Sequence, residues 1–367
     1  MSKIIKSIGL MSGTSLDGID LSMIESDGLS FIKTHKNQYY QYSDEFKNKL
    51  RKLIFDEKIS LFEIKKIENE LTILHANLVN DFLEKNQISS TEISVIGFHG
   101  QTIFHKPIDK ITWQIGNAQL LAHLTKINVV ADFRVNDVVN GGQGAPLVPI
   151  YHYYLFANQE KPIAILNIGG VSNITYFNND LNSLIAFDLC FGNAPMNDLM
   201  MKKLNREFDR NGEIASQGKP NLELIESISQ NKIFHQEIPR SFSRNDFDEA
   251  LSPILSLELT DALATLSLLF AKILANNLQK FFNELPKKII VCGGGAKNKT
   301  LLKNMQNFLP NIEIIVADEI GFNPDFIESE AFAFLAVRRV KNLPISFKNT
   351  TKVNKIDGII GGVIYEI

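Results

Sequence analysis

Cysteine and tryptophan are the scarcest residues of this 367-residue chain, which has two cysteines and one tryptophan. Two cysteines, Cys190 and Cys292, are too few for a disulfide framework, and no cysteine or histidine stands near either at metal-ligand spacing. A surplus of one charge is also lacking, because the net charge is −3 and lysine and glutamate are spread along the chain. We therefore expect a reducing compartment and no nucleic-acid partner.

Long hydrophobic runs are missing as well. The apolar run at the amino terminus is interrupted at Ser7 and Ser12, so it is too short for a signal peptide. No run approaches the roughly 18 apolar residues that a membrane span needs. We therefore expect a cytoplasmic protein with no membrane partner. The length suits two domain cores better than one.

Strand-like and helical patterns alternate along the chain. Three strand-like runs, 4–11, 18–25 and 30–36, open it, and helices are predicted to begin near Ser43 and Ser60. Ser60 is expected to cap the second helix, which has an apolar stripe from Ile64 to Phe82 at steps of three and four. From residue 161 the pattern of strand, small-residue turn, strand, strand and helix begins again. Later segments continue the alternation, with helices at 260–283, from about 298 and at 328–340, and strands at 93–100, 288–295 and 312–318. This order predicts an α/β fold with a largely parallel inner sheet and a duplicated architecture.

Three turns rich in glycine follow predicted strands, and they read SGTSLDG (12–18), NIGGVSN (167–173) and VCGGGAKN (291–298). Such turns expose backbone N–H groups in a concavity that suits phosphate oxygens. The hydroxyls of Ser12, Thr14 and Ser15 add donors, and Asp17 and Asp20 could hold Mg²⁺ through water. Taken alone, the first turn is equally compatible with a plain hairpin that has a long turn.

None of these turns matches a P-loop or a dinucleotide-binding fingerprint. Three of them together favour one nucleotide held between two halves of the chain. In that interpretation the two hairpin turns hold the phosphates and the third turn contacts the adenosine.

Seven stretches of the chain resemble the anhydro-N-acetylmuramic acid kinase family of the actin/hexokinase/heat-shock-chaperone superfamily. They are GLMSGTSLDGID (9–20), IGFHGQTIFHKP (96–107), QIGNAQLLA (114–122), VVADFRVNDVVNGGQGAPLVP (129–149), LNIGGVSNIT (166–175), VCGGGAKN (291–298) and EAFAFLA (330–336). The resemblance implies a duplicated actin/hexokinase-like (ribonuclease H-like) two-domain fold with a nucleotide cleft between the halves. We expect one lobe over 1–130 with 341–367 and the other over 131–340.

The resemblance also implies an activity. It implies a kinase that uses ATP, Mg²⁺ and water to open the ring of 1,6-anhydro-N-acetylmuramic acid, a sugar released in peptidoglycan recycling, and to phosphorylate O6. The implied products are N-acetylmuramic acid 6-phosphate and ADP, and the implied assembly is a homodimer. The apolar helix at 260–283 could serve the core, a dimer contact or both.

Asp188 matches the family's catalytic base. It stands in FDLCFGN (187–193), where Gly192 and Asn193 also match and Leu189 to Phe191 depart from the family pattern. An aspartate after an apolar strand lies where open α/β sheets place ligands, which supports the base independently. The alternative is a helix N-cap, a role that aspartate also favours.

The sugar and nucleotide residues follow from the same stretches. Gln101, Arg134, Arg244 and Glu330 are expected to contact the substrate, with Arg134 paired to the lactyl carboxylate. Each has a structural alternative: a polar turn near Gln101, an ion pair of Arg134 with Asp132 or Asp137, a surface role for Arg244, and helix-dipole stabilisation by Glu330. The residues expected to bind ATP are Gly13, Thr14, Ser15, Leu16, Asp17, Gly18, Ile19, Asp20, Asn167, Gly169, Gly170, Gly293, Gly294, Gly295 and Asn298.

Two departures keep other functions open. Many sugar kinases carry an aspartate two residues before the first phosphate-turn glycine, where this chain has Met11, so Asp17, Asp20 or Asp188 would have to hold the metal. The altered segments at 189–191 and 242–243 are compatible with a kinase of a related amino sugar. A catalytically inactive ATP-binding clamp is the third possibility, and the presence of Asp188 argues against it.

Overall fold

The computed structural model describes residues 3–13, 16–55 and 58–367, and it divides into two compact units. The first unit is formed by the chain up to Ala157 together with Phe326–Ile367, and the second is Asn158–Asp325. The lobes expected from the sequence, 1–130 with 341–367 and 131–340, have other boundaries, and that assignment stays a prediction.

Up to Ala157 the chain forms seven strands and five helices within the described residues. These are β1 (Ile5–Met11), β2 (Gly18–Ser26), β3 (Ile32–Gln41), α1 (Asp44–Phe55), α2 (Leu61–Lys85), β4 (Val95–Phe98), β5 (Gln101–Lys106), β6 (Ile111–Ile115), α3 (Ala118–Thr125), β7 (Val129–Ala131), α4 (Val135–Val139) and α5 (Pro149–Leu155). The second unit contains β8 (Ile163–Ile168), β9 (Val171–Phe177), β10 (Ile185–Phe191), α6 (Ala194–Leu204), α7 (Leu222–Ser229), α8 (Asp248–Leu255), α9 (Leu259–Phe281), β11 (Lys288–Cys292), α10 (Lys299–Phe308) and β12 (Glu313–Val316). The chain then returns to the first unit as α11 (Ile327–Val340), α12 (Lys348–Thr351) and β13 (Val363–Tyr365).

Both main sheets repeat one strand order. In the first unit β1 pairs antiparallel with β2 and β2 with β3, while β4 runs parallel to β1 and β7 parallel to β4. In the second unit β8, β9, β10, β11 and β12 take the same places with the same directions. The first sheet adds β13 beside β7, and β5 and β6 form a separate hairpin. This repeat confirms the predicted duplicated α/β fold of the actin/hexokinase-like, ribonuclease H-like type.

Local sequence signals explain several elements. Ser60 caps α2, because its hydroxyl accepts a hydrogen bond from the Glu63 N–H at 3.1 Å, as the sequence predicts. The apolar stripe of α2 that the sequence indicates is mostly buried against the first sheet. Helix α6 is the helix that closes the second occurrence of the predicted pattern, whereas the β5–β6 hairpin, α7 and α8 have no counterpart among the predicted elements.

Two strand glycines seat α11 against the first sheet. A Cβ atom at Gly9 would lie 1.9 Å from the Ser329 carbonyl oxygen, and one at Gly97 would lie 2.1 Å from the Phe332 carbonyl oxygen. The helix backbone therefore approaches β1 and β4 more closely than a side chain would allow. Residues on the part of α11 above these strands are almost entirely buried.

The long helix α9 is long and apolar enough to cross a membrane by length and composition, which corrects the expectation that no run approaches that length. Within the second unit 67% of its most apolar stretch is buried. Leu263, Leu266, Phe270 and Leu274 are fully buried in the unit's core. The helix therefore serves as a core helix there.

Candidate active site

The β1–β2 turn of the first unit is held by side chains from outside the hairpin. The Ser12 hydroxyl donates to Gln101 Oε1 at 2.7 Å and shares a 2.9 Å hydrogen bond with the Tyr42 hydroxyl. Gln101 Nε2 donates to the Gly13 carbonyl oxygen at 3.4 Å. Burial raises the pKa of Tyr42, which keeps its phenol protonated. Gln101 therefore supports the turn, a role that sequence reasoning did not assign to it.

The backbone of the same turn explains part of its shape. Leu16 has φ 61°, which is uncommon for a residue with a side chain, and its N–H donates to the Gly13 carbonyl oxygen at 3.2 Å. Leu16, Gly18 and Ile19 are buried, and Asp17 is exposed. Thr14 and Ser15, which the sequence assigns to ATP, lie outside the described residues.

Arg134 is held in place by a neutral histidine. Its guanidinium donates to His99 Nε2 at 2.9 Å and to the Gly144 carbonyl oxygen at 2.8 Å. Burial, with the Arg134 charge, holds the pKa of His99 well below its usual range. His99 Nδ1 therefore carries the proton that it donates to the Gly100 carbonyl oxygen at 2.8 Å.

The loop that carries Gly144 is fixed by Asp137. This fully buried carboxylate accepts hydrogen bonds from the Gly144 N–H at 2.6 Å, from Ser346 at 2.5 Å and from Thr351 at 2.6 Å. The carboxylate of Asp132 accepts from the Tyr365 hydroxyl at 2.7 Å. Both aspartates that the sequence offered as ion-pair partners of Arg134 thus have structural hydrogen bonds of their own.

Glu330 is a buried carboxyl group in the first turn of α11. It accepts a hydrogen bond from the Tyr151 hydroxyl at 2.9 Å, and a second from the Asn37 side chain. Burial raises the pKa of Glu330 to about 7, against the opposing effect of these two hydrogen bonds. At neutral pH this carboxyl group is therefore poised between its charged and neutral forms.

The second unit gathers its predicted nucleotide residues at one end of its sheet. The carbonyl oxygens of Gly169 and Gly170 accept hydrogen bonds from the N–H groups of Asn193 at 2.7 Å and Gly192 at 2.9 Å. A Cβ atom at Gly192 would lie 2.2 Å from the Gly169 carbonyl oxygen, so only glycine fits there. The β8–β9 turn is thus packed against the chain that enters α6.

The third glycine turn packs against the same place. Gly293 has φ +77°, and a Cβ atom there would lie 2.3 Å from Asn167 Oδ1. A Cβ atom at Gly295 would lie 2.4 Å from the Ile168 side chain. Gly294 is exposed between them. These glycines let the turn after β11 approach the β8–β9 turn, and they leave backbone atoms at the surface.

Two further predicted residues have structural partners. Asn298 caps α10, because its Oδ1 accepts from the Leu301 N–H at 3.0 Å. Arg244 forms an ion pair with Asp198 beside a groove of about 230 Å³, and its side chain is 32% exposed. Arg244 is thus exposed enough to meet a ligand while it already has one carboxylate partner.

Asp188 lies inside β10 rather than after it, and it is 7% exposed. Its Oδ2 accepts a hydrogen bond from the Phe242 N–H at 2.8 Å, and its own N–H donates to the Arg240 carbonyl oxygen at 3.0 Å. The helix after β10 has Asn193 at its N-cap position. The interpretation of Asp188 as an N-cap is therefore wrong, because the strand continues for three residues beyond it.

No group of three or more histidine, cysteine, aspartate or glutamate side chains at metal-binding distance exists among the residues that the structure describes. Asp17 is exposed at the first turn and Asp20 is half-buried in β2. Kinases usually bind Mg²⁺ through one or two carboxylates and the phosphates of the substrate. The oxygen donors of Asp17 or Asp20 fit that chemistry.

Comparison with known proteins gives a family match along nearly the whole chain. The family model described as Anhydro-N-acetylmuramic acid kinase matches residues 5–366. The anhydro-N-acetylmuramic acid kinase of Zymomonas mobilis subsp. mobilis is 42% identical over 358 residues, which cover 94% of this chain and 96% of the relative. The enzyme of the same name from Pelagibacter ubique is 39% identical over 382 residues and covers 99% of each.

Solved structures give a more distant similarity. An activator of the 2-hydroxyisocaproyl-CoA dehydratase from Clostridium difficile with bound ADPNP is 14% identical, with a TM-score of 0.46, over 92% of this chain and 96% of that chain. A ROK family glucokinase from Streptomyces griseus in complex with glucose and AMPPNP is 12% identical, with a TM-score of 0.44, over 90% and 99%.

Proposed function

This chain belongs to the anhydro-N-acetylmuramic acid kinase family, and we propose that it is an ATP-dependent kinase of 1,6-anhydro-N-acetylmuramic acid in peptidoglycan recycling. The observation that carries the proposal is the family match over residues 5–366, which leaves no large segment unaccounted for. The repeated sheet with its glycine turns supports it, because these turns offer backbone N–H groups to phosphates.

The reaction needs one base and one phosphoryl acceptor. Asp188 takes a proton from water as the water oxygen attacks C1 of the sugar and the C1–O6 bond breaks. O6 then attacks the γ-phosphorus of ATP, the bond to the β-phosphate oxygen breaks, and ADP leaves. A positioned carboxylate contributes about 10²- to 10⁴-fold to such a proton transfer.

The hydrogen bond from the Phe242 N–H to Asp188 Oδ2 suits this role. This main-chain donor fixes the direction of the carboxylate, which a base requires. The low exposure of Asp188 keeps bulk water from competing with the attacking water.

ATP is proposed to meet backbone atoms of the glycine turns. In the first unit these are the residues of the β1–β2 turn, with Thr14 and Ser15 included. In the second unit Asn167, Gly169 and Gly170 meet the phosphates, and Gly293, Gly294, Gly295 and Asn298 lie on the adenosine side.

The sugar is proposed to contact Gln101, Arg134, Arg244 and Glu330. The forked guanidinium of Arg134 suits the lactyl carboxylate, and its bonds to His99 and Gly144 orient it beforehand. For Gln101 the proposed contact is secondary to its support of the first turn.

Mg²⁺ is proposed to be held by Asp17 or Asp20 together with the phosphates of ATP. Bound there, it would neutralise the charge that develops on the transferred phosphoryl group. We further propose a cytoplasmic location, which the composition favours, and a homodimer, which the resemblance implies. The apolar face of α9 is mostly buried in the second unit, so we expect the dimer contact on another surface.

The test incubates the purified chain with anhydro-N-acetylmuramic acid, ATP and Mg²⁺, and follows the 6-phosphate product by mass spectrometry. The matched control is Asp188→Asn, which preserves size. We expect kcat to fall by about 10³-fold in this variant with nucleotide affinity retained.

Three results would contradict the proposal. Absence of product at micromolar enzyme with ATP bound favours an inactive clamp. Faster phosphorylation of an ordinary hexosamine favours a kinase of a related amino sugar. Full turnover by Asp188→Asn would show that another group is the base.

A further inference from the structure

The outer edge of the second sheet carries an irregularity at Asp188. Strand β10 is the last strand on its side of the sheet, so only one of its edges pairs with β9. The pairing shifts register between Asp188 and Cys190, which makes Leu189 the extra residue of a β-bulge. Bulges of this kind redirect a side chain and leave backbone groups without ladder partners.

Arg240 supplies partners for the carbonyl groups at the bulge. Its Nε donates to the Asp188 carbonyl oxygen at 3.0 Å, and its Nη2 donates to the Leu189 carbonyl oxygen at 3.0 Å. Its backbone carbonyl accepts the Asp188 N–H at 3.0 Å. One residue thus bonds both backbone groups of Asp188 as well as the bulged residue after it.

The guanidinium is anchored on its other side. Nη2 also donates to Asn277 Oδ1 on α9 at 2.8 Å, and Nη1 donates to the Gln236 carbonyl oxygen at 2.6 Å. Asn277 is in turn fixed by a 2.9 Å bond from its Nδ2 to the Ile273 carbonyl oxygen. Because α9 is a buried core helix, this bond ties the guanidinium to a rigid element.

Three aromatic rings surround the charge. The guanidinium carbon lies 5.3 Å from the ring centres of Phe187 and Phe242 and 5.7 Å from that of Phe281. Arg240 is only 3% exposed. Burial lowers the pKa of Arg240 to about 10, opposed by nearby acidic groups that include Asp188, so it is charged at neutral pH.

The segment that carries Arg240 also bonds the Asp188 side chain. Two residues after Arg240, the Phe242 N–H donates to Asp188 Oδ2 at 2.8 Å. The backbone and the carboxylate of Asp188 are therefore both hydrogen-bonded to one short segment, 240–242. A displacement of that segment moves the carboxylate with it.

We propose that Arg240 is a positioning residue for Asp188, which fixes the bulge in β10 and the segment 240–242 so that the carboxylate is held in one orientation. Arg240 acts through Asp188 and does not itself contact substrate. The proposal rests on the proposed function, because it takes Asp188 as the base. A misplacement of a catalytic group by about 1 Å costs on the order of 100-fold in rate.

The experiment is a double-mutant cycle with Arg240→Lys and Asp188→Asn, measured with saturating ATP and sugar. Lysine keeps the charge but cannot bond Asp188, Leu189 and Asn277 with one planar fork. We expect Arg240→Lys to lower kcat by about 100-fold, with the KM values for ATP and sugar within about threefold of the parent. In the Asp188→Asn background the same change should lower the residual rate by less than about threefold, because the group it positions is absent.

The structure offers a matched control and a second variant. Arg338 is another buried arginine that donates to backbone carbonyl groups, those of Pro344 and Gly28, and it lies beside two aromatic rings. Arg338→Lys should reduce thermal stability about as much as Arg240→Lys does, while its kcat stays within about threefold of the parent.

If Arg240→Lys does not accumulate as folded protein, Asn277→Ala gives the same test, with an expected loss of about 10-fold in kcat that again disappears in the Asp188→Asn background.

Equal losses in the two backgrounds would overturn the proposal, since they indicate a general structural role. Unchanged kcat in folded Arg240→Lys would overturn it as well. These results differ from failure of the proposed function, in which the parent chain itself forms no 6-phosphate or Asp188→Asn remains fully active.

Discussion

The β1–β2 turn of the first unit spans six residues and is held by side chains, whereas the β8–β9 turn of the second unit is two glycines held by main-chain N–H groups. Ser12, Gln101 and Tyr42 support the first turn, and the N–H groups of Gly192 and Asn193 support the second. One strand order thus admits two ways to fix the turn between its first two strands. The first is sensitive to loss of a side chain, and the second to the addition of one.

Two buried carboxyl groups that the sequence assigns to the site, one in each unit, differ in the same way. Glu330 of the first unit accepts from the side chains of Tyr151 and Asn37, whereas Asp188 of the second accepts from the main-chain N–H of Phe242. A main-chain donor cannot rotate away or titrate. Of these two carboxyl groups, Asp188 is therefore the more rigidly held, which suits the base that we propose.

The largest expected effect comes from adding a methyl group beneath the second turn. Gly192→Ala would place Cβ 2.2 Å from the Gly169 carbonyl oxygen, so the turn must shift. We expect the KM for ATP to rise by about 30-fold, equivalent to about 2 kcal/mol of lost binding. Steady-state kinetics with varied ATP measures this, and an unchanged KM would show that the β8–β9 turn does not contact the nucleotide.

A sharper version adds the methyl group where the protein itself has room. At Gly169 the nearest atom to an added Cβ is the Val171 carbonyl oxygen at 3.4 Å, an ordinary contact. Gly169→Ala should leave the midpoint of thermal unfolding nearly unchanged but raise the KM for ATP by about 10-fold, because the added group meets the phosphates. A loss of stability without a change in the KM for ATP would show that Gly169 supports the fold and does not meet the phosphates.

The β1–β2 turn should instead be sensitive to the loss of a side chain that supports it. Gln101→Met keeps the volume but removes both hydrogen bonds to the turn, and we expect it to cost about 1–3 kcal/mol of unfolding free energy, because buried polar partners are left unpaired. The matched variant Asn193→Ala removes one side-chain bond to the Ile168 carbonyl oxygen and leaves the main-chain bonds of the second turn. Urea unfolding compares the two, and a larger loss for Asn193→Ala would break the comparison.

The effect that is smallest within any one pH unit, at no more than about 1.4 kcal/mol, concerns Glu330. The folded-state pKa of Glu330, about 7, is raised above that of an unfolded glutamate, so the folded protein binds more protons in this range. Stability from this group is present below about pH 4.5 and is lost as pH rises through about 7, by roughly 3 kcal/mol in total. Glu330→Gln should flatten that part of the stability–pH profile in urea unfolding. A profile of the same slope in the variant would assign the effect to another group.

The sequence was a good guide where a local pattern sets the structure. The strand runs before each glycine turn and the capped stripe of α2 follow from side-chain period and from Ser60. The stretches that resemble the family related Asp188 and the glycine turns to a single activity, that of a kinase. The duplicated architecture, by contrast, could be predicted only because the same order of strands, turn and helix occurs twice in the sequence.

The supporting contacts were beyond the sequence because they join distant residues. Ser12 and Gln101 are 89 positions apart, and Arg240 reaches Asp188 across 52. Nothing in the segment PRSFSRNDF distinguishes Arg240, which is buried, from Arg244, which is partly exposed. Neither the continuation of β10 beyond Asp188 nor the bulge that follows it has a residue signal of its own.

The seat of α11 on Gly9 and Gly97 has a consequence for biosynthesis. The strands beneath that helix are made first, but the helix that covers them follows only after the whole second unit. During translation one apolar face of the first sheet therefore remains uncovered until about residue 340 has emerged, while the continuous second unit can already fold. The unit whose first strands leave the ribosome earliest is thus the last to be completed.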